Sequence, residues 1–461
     1  MKNVFKDTRV LDKRAIERYF LNEEILCENA SSALKKLIDE VTHKQSLIYI
    51  VCGSGGNGAD GLALARKLQG EYRVKVFMAK DPKSSLCERE FLRCKHLGID
   101  FVRKIYACDI VVDCLFGSGF CGEIDLEFKE LLGVMNKMAR IKIACDIPSG
   151  VGAIFKGSAF EADYTVSMGA LRIDLFGEWA KDYVGKIIVA PLGLPSQSYE
   201  VSSNVKLLEE SDLKLPYRKQ ENTHKGSYGH LAVRVQNGNG DKNGAGVLCA
   251  MGAMAFGVGL CTLSGEMAYP PYEMMHSSQI PQEANVVAMG MGMSSLTQKD
   301  FDEIANRACV LDAGAFYTPE IKDFLLDAKN VVLTPHIKEF ASLLKLCGIA
   351  DLSVDEVKER RDSLLLEFCS LYPEVVVVLK GANTLVAQNG KIWICTLGKN
   401  NLAKGGSGDI LAGMISALLA QGYESSDAGI HATLAHALAS RKIKSSFGLT
   451  PMDLIEAVKS L

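Results

Sequence analysis

Short runs of apolar residues, many of them β-branched, recur along the chain and alternate with segments whose apolar positions have helical spacing. In the first half, residues 11–40 have helical spacing, and the apolar runs predict strands at 47–52, 74–79, 110–115, 142–145, 164–167 and 187–190. A helix is predicted at 59–68, after the first strand. Near-continuous apolar strands separated by helices indicate an α/β fold with a parallel, doubly wound sheet.

The same alternation resumes in the second half of the chain. The pattern predicts helices at 338–347 and 410–420, and strands at 231–235, 258–263, 286–288, 310–311, 331–333 and 375–379. Residues 243–265 carry no charge and are long enough to cross a membrane. Their many glycines, and the lack of a second such segment, favour a buried helix that leads into a strand.

Between the halves, residues 192–215 show little periodicity and residues 217–223 are strongly polar. Clusters of turn-forming and polar residues between periodic segments mark connections. We therefore predict two domains, 1–205 and 223–461, joined by a linker at 206–222.

The formal net charge is −3, and no run of Lys or Arg is typical of a nucleic-acid or membrane-surface patch. The 14 cysteines are scattered singly, without a CxxC pair or a Cys/His metal spacing, which favours a reducing compartment. Residues 1–20 are charged throughout and do not show a signal-peptide pattern. We expect a cytoplasmic protein that binds small molecules, and neither nucleic acid nor a membrane.

A glycine-rich loop at residues 405–408 leads directly into Asp409 and an apolar run of helical length. Such a loop at a helix N-terminus presents backbone N–H groups and the positive end of the helix dipole, which favours an anion. Asp409 would repel a phosphate there unless it takes a proton from the group that attacks the phosphate. The alternative is an acidic first-turn residue that only stabilises the helix dipole.

Three polar loops follow predicted strands in the first half. Residues 53–58 satisfy the GxGxxG pattern of dinucleotide-binding turns. Asp60 would repel a pyrophosphate, however, so Asn57 and Asp60 suit ribose hydroxyls or a cation better. The other loops are 113–119 and 146–150. Because loops at the carboxyl ends of parallel strands share one edge of the sheet, we expect all three loops to form one site.

With residues 27–31 and 162–169, these loops resemble the ordered motifs of NAD(P)H-hydrate epimerases over about residues 1–205. The resemblance implies a Rossmann-like three-layer αβα domain, a catalytic Asp146, and a potassium ion at Asn57, Asp113 and Ser149. It also implies that the hydrated nicotinamide nucleotide contacts Gly56, Asn57, Gly58, Ala59, Asp60, Gly117, Ser118, Gly119, Phe120, Cys121, Gly122, Glu123 and Asp146. Three positions depart from the family pattern, with Gly56 for a usual Asn, Ala59 for a usual Gly and Arg172 for a usual Lys.

Polar clusters also follow the strands of the second half, at residues 290–292, His336 and residues 380–384. His336 follows a buried strand, where it is placed to face a ligand, although a single histidine can also be structural. Lys380 suits a phosphate, and the alternative is an exposed turn lysine. Gly381 would allow close approach of a nucleotide.

These clusters, with residues 225–229, 244–245, 255–263 and 405–413, resemble the ADP- or ATP-dependent NAD(P)H-hydrate dehydratases over about residues 220–461. The resemblance implies a ribokinase-like α/β domain with a catalytic Asp409 and a nucleotide-bound Mg²⁺. It implies that the hydrated nucleotide contacts Ala245, Gly292, His336 and Asp409. It also implies that ADP or ATP is held by Lys380, Gly381, Ala382, Asn383, Thr384 and Gly408.

Together the two resemblances imply a bifunctional enzyme that repairs hydrated NADH and NADPH, and a homo-oligomeric assembly. The N-terminal domain would interconvert the R and S hydrates, and the C-terminal domain would dehydrate the S hydrate at the expense of ADP or ATP. One alternative is a ribokinase-like kinase of a small molecule such as a vitamin or a sugar. In another, the N-terminal domain is a binding scaffold without activity.

Overall fold

The computed structural model describes residues 1–117, 124–152, 157–235 and 243–461. The chain forms two compact units, one of residues 3–203 and one of residues 204–461 with residues 1–2. We call them the N-terminal unit and the C-terminal unit and describe each by itself.

The strands of the N-terminal unit are β1 (Lys2–Phe5), β2 (Leu47–Cys52), β3 (Arg73–Met78), β4 (Asp100–Phe101), β5 (Cys108–Cys114), β6 (Ala139–Cys145), β7 (Tyr164–Met168), β8 (Leu171–Arg172) and β9 (Lys186–Ala190). Its helices are α1 (Arg9–Tyr19), α2 (Glu23–Val41), α3 (Gly56–Leu68), α4 (Ser85–His96), α5 (Leu126–Met138) and α6 (Ser196–Tyr199). Asn22 begins α2 by accepting a hydrogen bond from the backbone N–H of Ile25, and Ser84 caps α4 in the same way.

Seven parallel strands form the N-terminal sheet in the order β4-β3-β2-β5-β6-β7-β9. Side chains alternate between its faces, as expected for strands. Ile48 and Ile50 pack in a core with α2, α3 and α4, while Tyr49 and Val51 pack in a second core with α5. The predicted three-layer αβα arrangement of this unit is confirmed.

The strands of the C-terminal unit are β10 (Val205–Leu207), β11 (His230–Arg234), β12 (Leu260–Ser264), β13 (Met275–Ser277), β14 (Val286–Met289), β15 (Ala308–Leu311), β16 (Val331–Leu333), β17 (Val375–Leu379), β18 (Thr384–Gln388) and β19 (Lys391–Cys395). Its helices are α7 (Asn243–Ala255), α8 (Gln298–Ile304), α9 (Ile321–Asp327), α10 (Ile337–Leu346), α11 (Val354–Glu359), α12 (Arg361–Leu371), α13 (Ser407–Ala420), α14 (Ser425–Lys442) and α15 (Pro451–Lys459).

These ten strands lie in the order β13-β12-β11-β14-β15-β16-β17-β18-β19-β10. Neighbours are parallel except in the β17–β18 and β18–β19 pairs, which are antiparallel. The core on one face of the sheet is built with α7, α13, α14 and α15. The predicted α/β class is therefore confirmed for this unit as well.

The structure differs from the sequence prediction at residues 206–222, which were expected to be linker. Their first residues belong to β10, which pairs in parallel with β19. A strand of this length shows no periodicity of its own, and it is fixed by its neighbour in the sheet. Residues 243–265 contain α7 and β12, and no helix in the described part of the chain is long and apolar enough to cross a membrane.

Helices α7 and α13 approach each other closely because glycines face the contact. A Cβ atom placed on Gly413 would lie 1.9 Å from the carbonyl oxygen of Cys249, and one on Gly252 would lie 2.7 Å from that of Ile410. A side chain at either position would push the helices apart. This contact holds the helix that follows the glycine loop against the core.

We therefore expect Gly413→Ala to lower the free energy of unfolding by about 1–3 kcal/mol, because overpacking outweighs the better helix propensity of alanine. Gly133→Ala is the matched control, since Gly133 also lies inside a helix but a Cβ atom there would meet nothing within 4 Å. Urea unfolding of the full chain measures both effects. Equal midpoints for Gly413→Ala and the wild type would contradict the close-packing argument.

Candidate active sites

The amine of Lys380 is the centre of a charged cluster where β15, β16 and β17 end. Its Nζ donates to Asp312 Oδ1 at 2.8 Å and lies 4.0 Å from Glu339 Oε2. Burial alone would lower the pKa of this amine, but the charges of Asp312 and Glu339 outweigh burial and raise it. Lys380 is therefore a permanent cation. We call Asp312, His336, Glu339, Lys380 and Asp409 the C-terminal site.

His336 begins α10 and is held in place by Glu339. Its backbone N–H donates to Glu339 Oε2 at 2.8 Å, and its Nδ1 accepts from the backbone N–H of Glu339 at 3.2 Å. The remaining nitrogen, Nε2, lies 3.2 Å from Glu339 Oε1. Burial and the nearby Lys380 lower the pKa of the His336 imidazole, so the ring is neutral near pH 7. The imidazole is about half-exposed.

Asp409 lies in the first turn of α13, as predicted, directly after the glycine loop. Gly406 has a φ of 92°, and a Cβ atom there would lie 2.7 Å from the Leu248 side chain, so this position requires glycine. Burial and the charge of Asp312 raise the pKa of Asp409 to about 6, although Lys380 acts in the opposite direction. A carboxylate with this pKa is a good proton acceptor near neutral pH.

His436 of α14 also contacts the first turn of α13, at Ser407. Its Nε2 lies 3.0 Å from the carbonyl oxygen of Ser407 and 3.2 Å from the Ser407 hydroxyl. Burial lowers the pKa of His436 to about 4, so the imidazole is neutral and can donate to the carbonyl. This bond fixes the turn that carries Asp409.

The other predicted residues of this unit lie at the ends of the same elements. Ala245 is in the first turn of α7, and Leu248 one turn later packs against Gly406. Gly292 lies in the turn after β14, where the neighbouring Gly290 lies so close to the Asp312 backbone that a Cβ atom would be 2.0 Å from its carbonyl oxygen. After Lys380, Gly381 and Ala382 are exposed, Asn383 is buried and Thr384 begins β18. Gly408 also lies close to Lys380, since a Cβ atom there would be 3.3 Å from Lys380 Nζ.

In the N-terminal unit, the described residues of the three predicted loops lie together at the carboxyl ends of β2, β5 and β6. Asn57 donates through Nδ2 to the carbonyl oxygens of Phe116 at 2.9 Å and Cys145 at 3.3 Å. A Cβ atom on Gly117 would lie 3.3 Å from Asn57 Cβ and 3.4 Å from Asp146 Oδ2. The predicted Gly56, Gly58, Ala59 and Asp60 are in the first turns of α3, and a Cβ atom on Gly58 would clash with the Gly53 carbonyl at 2.0 Å.

Asp113 and Ser149 form a buried hydrogen-bonded pair beside this loop cluster. Asp113 accepts from the Ser149 backbone N–H at 2.7 Å, the Ser149 hydroxyl at 2.8 Å and the Leu115 N–H at 3.1 Å. The Asn57 Oδ1 atom is buried and accepts no hydrogen bond from the described residues. An unpaired buried amide oxygen and a carboxylate are both suited to a cation such as potassium.

Asp146 has a φ of 67°, a conformation that is uncommon for a residue with a side chain and concentrates at functional sites. Arg172 Nη1 lies 4.0 Å from Asp146 Oδ2. Asp60 lies in the same unit with its pKa raised to about 8, chiefly by burial, so it is mostly protonated at neutral pH. We call Asn57, Asp60, Asp113, Asp146 and Arg172 the N-terminal site.

Six of the predicted residues, Ser118, Gly119, Phe120, Cys121, Gly122 and Glu123, lie outside the described residues. The sequence had given no role to Glu339, Asp312 or His436. Glu339 could have been found from the His-x-x-Glu spacing, which is that of a helix capping box. The contact of His436 with Ser407 joins residues from different helices, and local sequence carries no signal for it.

Comparisons with known proteins find matches for both halves of the chain. Residues 233–460 match the family model described as NAD(P)H-hydrate dehydratase, and residues 23–173 match that of the YjeF-related protein N-terminus. A bifunctional NAD(P)H-hydrate repair enzyme of Helicobacter pylori is 44% identical over 481 aligned positions, which cover 100% of both chains. One of Dictyoglomus turgidum is 29% identical and covers 98% of this chain and 96% of its own.

Among solved structures, an ADP/ATP-dependent NAD(P)H-hydrate dehydratase from Bacillus subtilis, co-crystallised with ATP and Mg²⁺, is 26% identical. The match covers 56% of this chain and 98% of that chain, with a TM-score of 0.47. The relatives that match along the whole length decide the assignment. This chain belongs to the family of bifunctional NAD(P)H-hydrate repair enzymes.

Proposed function

We propose that the two sites carry out successive steps in the repair of NADH and NADPH that have been damaged by hydration of the nicotinamide ring. The domain at 1–205 interconverts the R and S hydrates, and the domain at 223–461 dehydrates the S hydrate at the expense of ADP or ATP. The observation that supports the second step is Asp409, a carboxylate of raised pKa that directly follows Gly408, which lies against the amine of Lys380.

In the dehydration, Asp409 accepts the proton of the ring hydroxyl as the hydroxyl oxygen attacks the terminal phosphoryl group. The backbone N–H groups of residues 405–408 and the charge of Lys380 stabilise the negative charge that develops. The C–O bond to the phosphate then breaks, the neighbouring ring carbon loses a proton to the departing phosphate or to water, and the C–H electron pair forms the C=C bond of the reduced ring. Residues 380–384 and Gly408 hold the adenine nucleotide in this proposal, and Ala245, Gly292 and His336 hold the hydrated nucleotide.

A magnesium ion would accompany the nucleotide. The carboxylates of Asp312 and Glu339, which both face Lys380, supply the oxygen donors that Mg²⁺ prefers, directly or through water. The ion would neutralise phosphate charge, while Lys380 keeps the two carboxylates in position.

In the epimerisation, Asp146 exchanges a proton with the ring hydroxyl, and the other predicted loop residues of this unit hold the substrate. Asn57, Asp113 and Ser149 would hold a potassium ion that fixes the three loops relative to one another. We further propose that the enzyme acts in the cytoplasm as a homo-oligomer, which light scattering of the purified protein would test.

We expect Asp409→Asn to lower the rate of nucleotide-dependent dehydration by about 10²–10⁴-fold, because the amide cannot accept the proton. Recovery of the absorbance of reduced nicotinamide measures the rate, and calorimetry should find nucleotide binding retained. The matched control is Asp427→Asn, which also removes a carboxylate from the first turn of a helix, α14. If Asp409 only stabilised the helix dipole, Asp409→Asn and Asp427→Asn would have similar rates of dehydration. Retained turnover in Asp409→Asn would contradict the proposal.

The pKa of about 6 also predicts the pH dependence of dehydration. Asp409 must be ionised to accept a proton, so kcat/KM should be constant above pH 7 and fall about tenfold per pH unit well below 6. Glu339 is the competing titratable group, because burial raises the pKa of its carboxyl too. The acid limb should therefore persist in Glu339→Gln. If the acid limb of the pH profile disappeared in Glu339→Gln, the group that titrates would be Glu339 and not Asp409.

If potassium binds at Asn57, it should raise the thermal midpoint of the protein relative to tetramethylammonium at equal ionic strength, because a bound ion stabilises the folded state. Asn57→Leu removes the unpaired oxygen and should abolish the difference, while Asp409→Asn, altered only in the C-terminal unit, should retain it. An unchanged potassium response in Asn57→Leu would place the ion elsewhere.

A further inference from the structure

Arg172 is a buried cation beside Asp146 that neither the fold nor the predicted loops account for. It ends β8, where it stands opposite Phe5 of β1, and its side chain is 10% exposed. Burying a guanidinium is unfavourable unless its donors are paired.

Only one nitrogen of this guanidinium has a partner within the described ranges of the chain. Nη2 donates to Asp174 Oδ2 at 2.6 Å, whereas Nε and Nη1 are buried and meet no acceptor there. A purely structural arginine would have these donors satisfied, as buried polar groups normally are. The unpaired donors therefore point to an acceptor supplied by a ligand.

The position of that acceptor follows from the distance between the two charged groups. Nη1 lies 4.0 Å from Asp146 Oδ2, which is too long for a direct hydrogen bond. One oxygen atom about 2.8 Å from each would bridge them with ordinary hydrogen-bond lengths. Such an oxygen could donate its proton to Asp146 and accept a hydrogen bond from Arg172.

We propose that Arg172 is a catalytic residue of the epimerase half and that the bridging oxygen is the ring hydroxyl of the hydrated nucleotide. This inference rests on the epimerase activity proposed above. Arg172 acts as a fixed cation throughout, because arginine is not deprotonated in proteins. It stabilises charge on the oxygen, and Asp146 carries the proton.

The hydroxyl stands on the ring carbon that is bonded to the ring nitrogen. When Asp146 takes its proton, the electron pair of the oxygen forms a C=O bond and the C–N bond breaks. The C–N electron pair moves onto the ring nitrogen, where it is delocalised through the adjacent C=C bond to the carboxamide oxygen. The aldehyde then rotates, the nitrogen adds to its other face, and Asp146 returns the proton.

The positive charge of Arg172 beside Asp146 favours one of two chemical routes to the other epimer. Loss of water from the hydrate would give an iminium cation, which the neighbouring guanidinium would repel. In ring opening, the hydroxyl oxygen gains negative charge while its proton moves to Asp146, before the C=O bond is complete, and Arg172 Nη1 stabilises this charge as a preorganised donor. The arginine therefore favours ring opening.

The test uses the full-length protein, purified R hydrate and no adenine nucleotide, so that the dehydratase half cannot turn over. Formation of the S hydrate is followed by chromatography and corrected for the spontaneous reaction. Arg172→Met should lower kcat about 100-fold with little change in KM, because the lost hydrogen bond forms mainly in the transition state. Arg172→Lys keeps a cation with a shorter reach and should recover part of this loss.

Asp174→Asn is the control for a structural role, because it weakens the bond that anchors Nη2 but leaves the guanidinium in the site. ADP-dependent dehydration of the S hydrate checks that each variant is otherwise intact. Wild-type kcat in Arg172→Met, or an equal loss in Asp174→Asn, would overturn the role of Arg172 alone. A wild-type protein that does not exceed the spontaneous rate would overturn the epimerase function itself, and the inference with it.

Discussion

The ion pair of Lys380 with Asp312 is the interaction on which the C-terminal site depends. One ammonium group faces two carboxylates, at 2.8 and 4.0 Å, and lies against Gly408, the residue before Asp409. A single cation cannot neutralise every carboxylate around it. Burial, followed by the charge of Asp312, raises the pKa of Asp409 to about 6, although Lys380 acts in the opposite direction. The basicity that the proposed reaction needs thus comes from burial and from the neighbouring carboxylate, while the charge of Lys380 reduces the repulsion between the carboxylates.

Backbone contacts also hold this cluster together. The backbone N–H of Lys380 donates to the carbonyl oxygen of Pro335 at 2.8 Å, which ties the segment after β17 to the segment after β16. His436 fixes the turn before Asp409, and glycines at 252 and 413 let α7 and α13 meet closely. The reacting groups are therefore placed by rigid elements, which is what catalysis by positioning requires.

The sequence predicted the class of the fold and the polar loops that follow the central strands because these depend on local patterns. Apolar runs identified the central strands, and polar residues directly after them identified the loops that lie together at the carboxyl ends. Short strands such as β8 and β10 escaped prediction because their neighbours in the sheet, and not their own sequence, determine them. The pairing of Lys380 with Asp312 spans residues far apart in the chain, so its contribution to the pKa of Asp409 could not be read from either motif.

The two sites share one physical arrangement although they lie in different units. Each combines a carboxylate, Asp409 or Asp146, with a cation, the partly exposed Lys380 or the buried Arg172. Neither cation is suited to release a proton: carboxylates raise the pKa of Lys380 despite its burial, and Arg172 is a guanidinium. In the reactions proposed above, the carboxylate carries the proton in each site and the cation stabilises negative charge on oxygen. The proposed ring opening therefore does not require a lysine at position 172, since a hydrogen-bond donor that keeps its charge serves the same role.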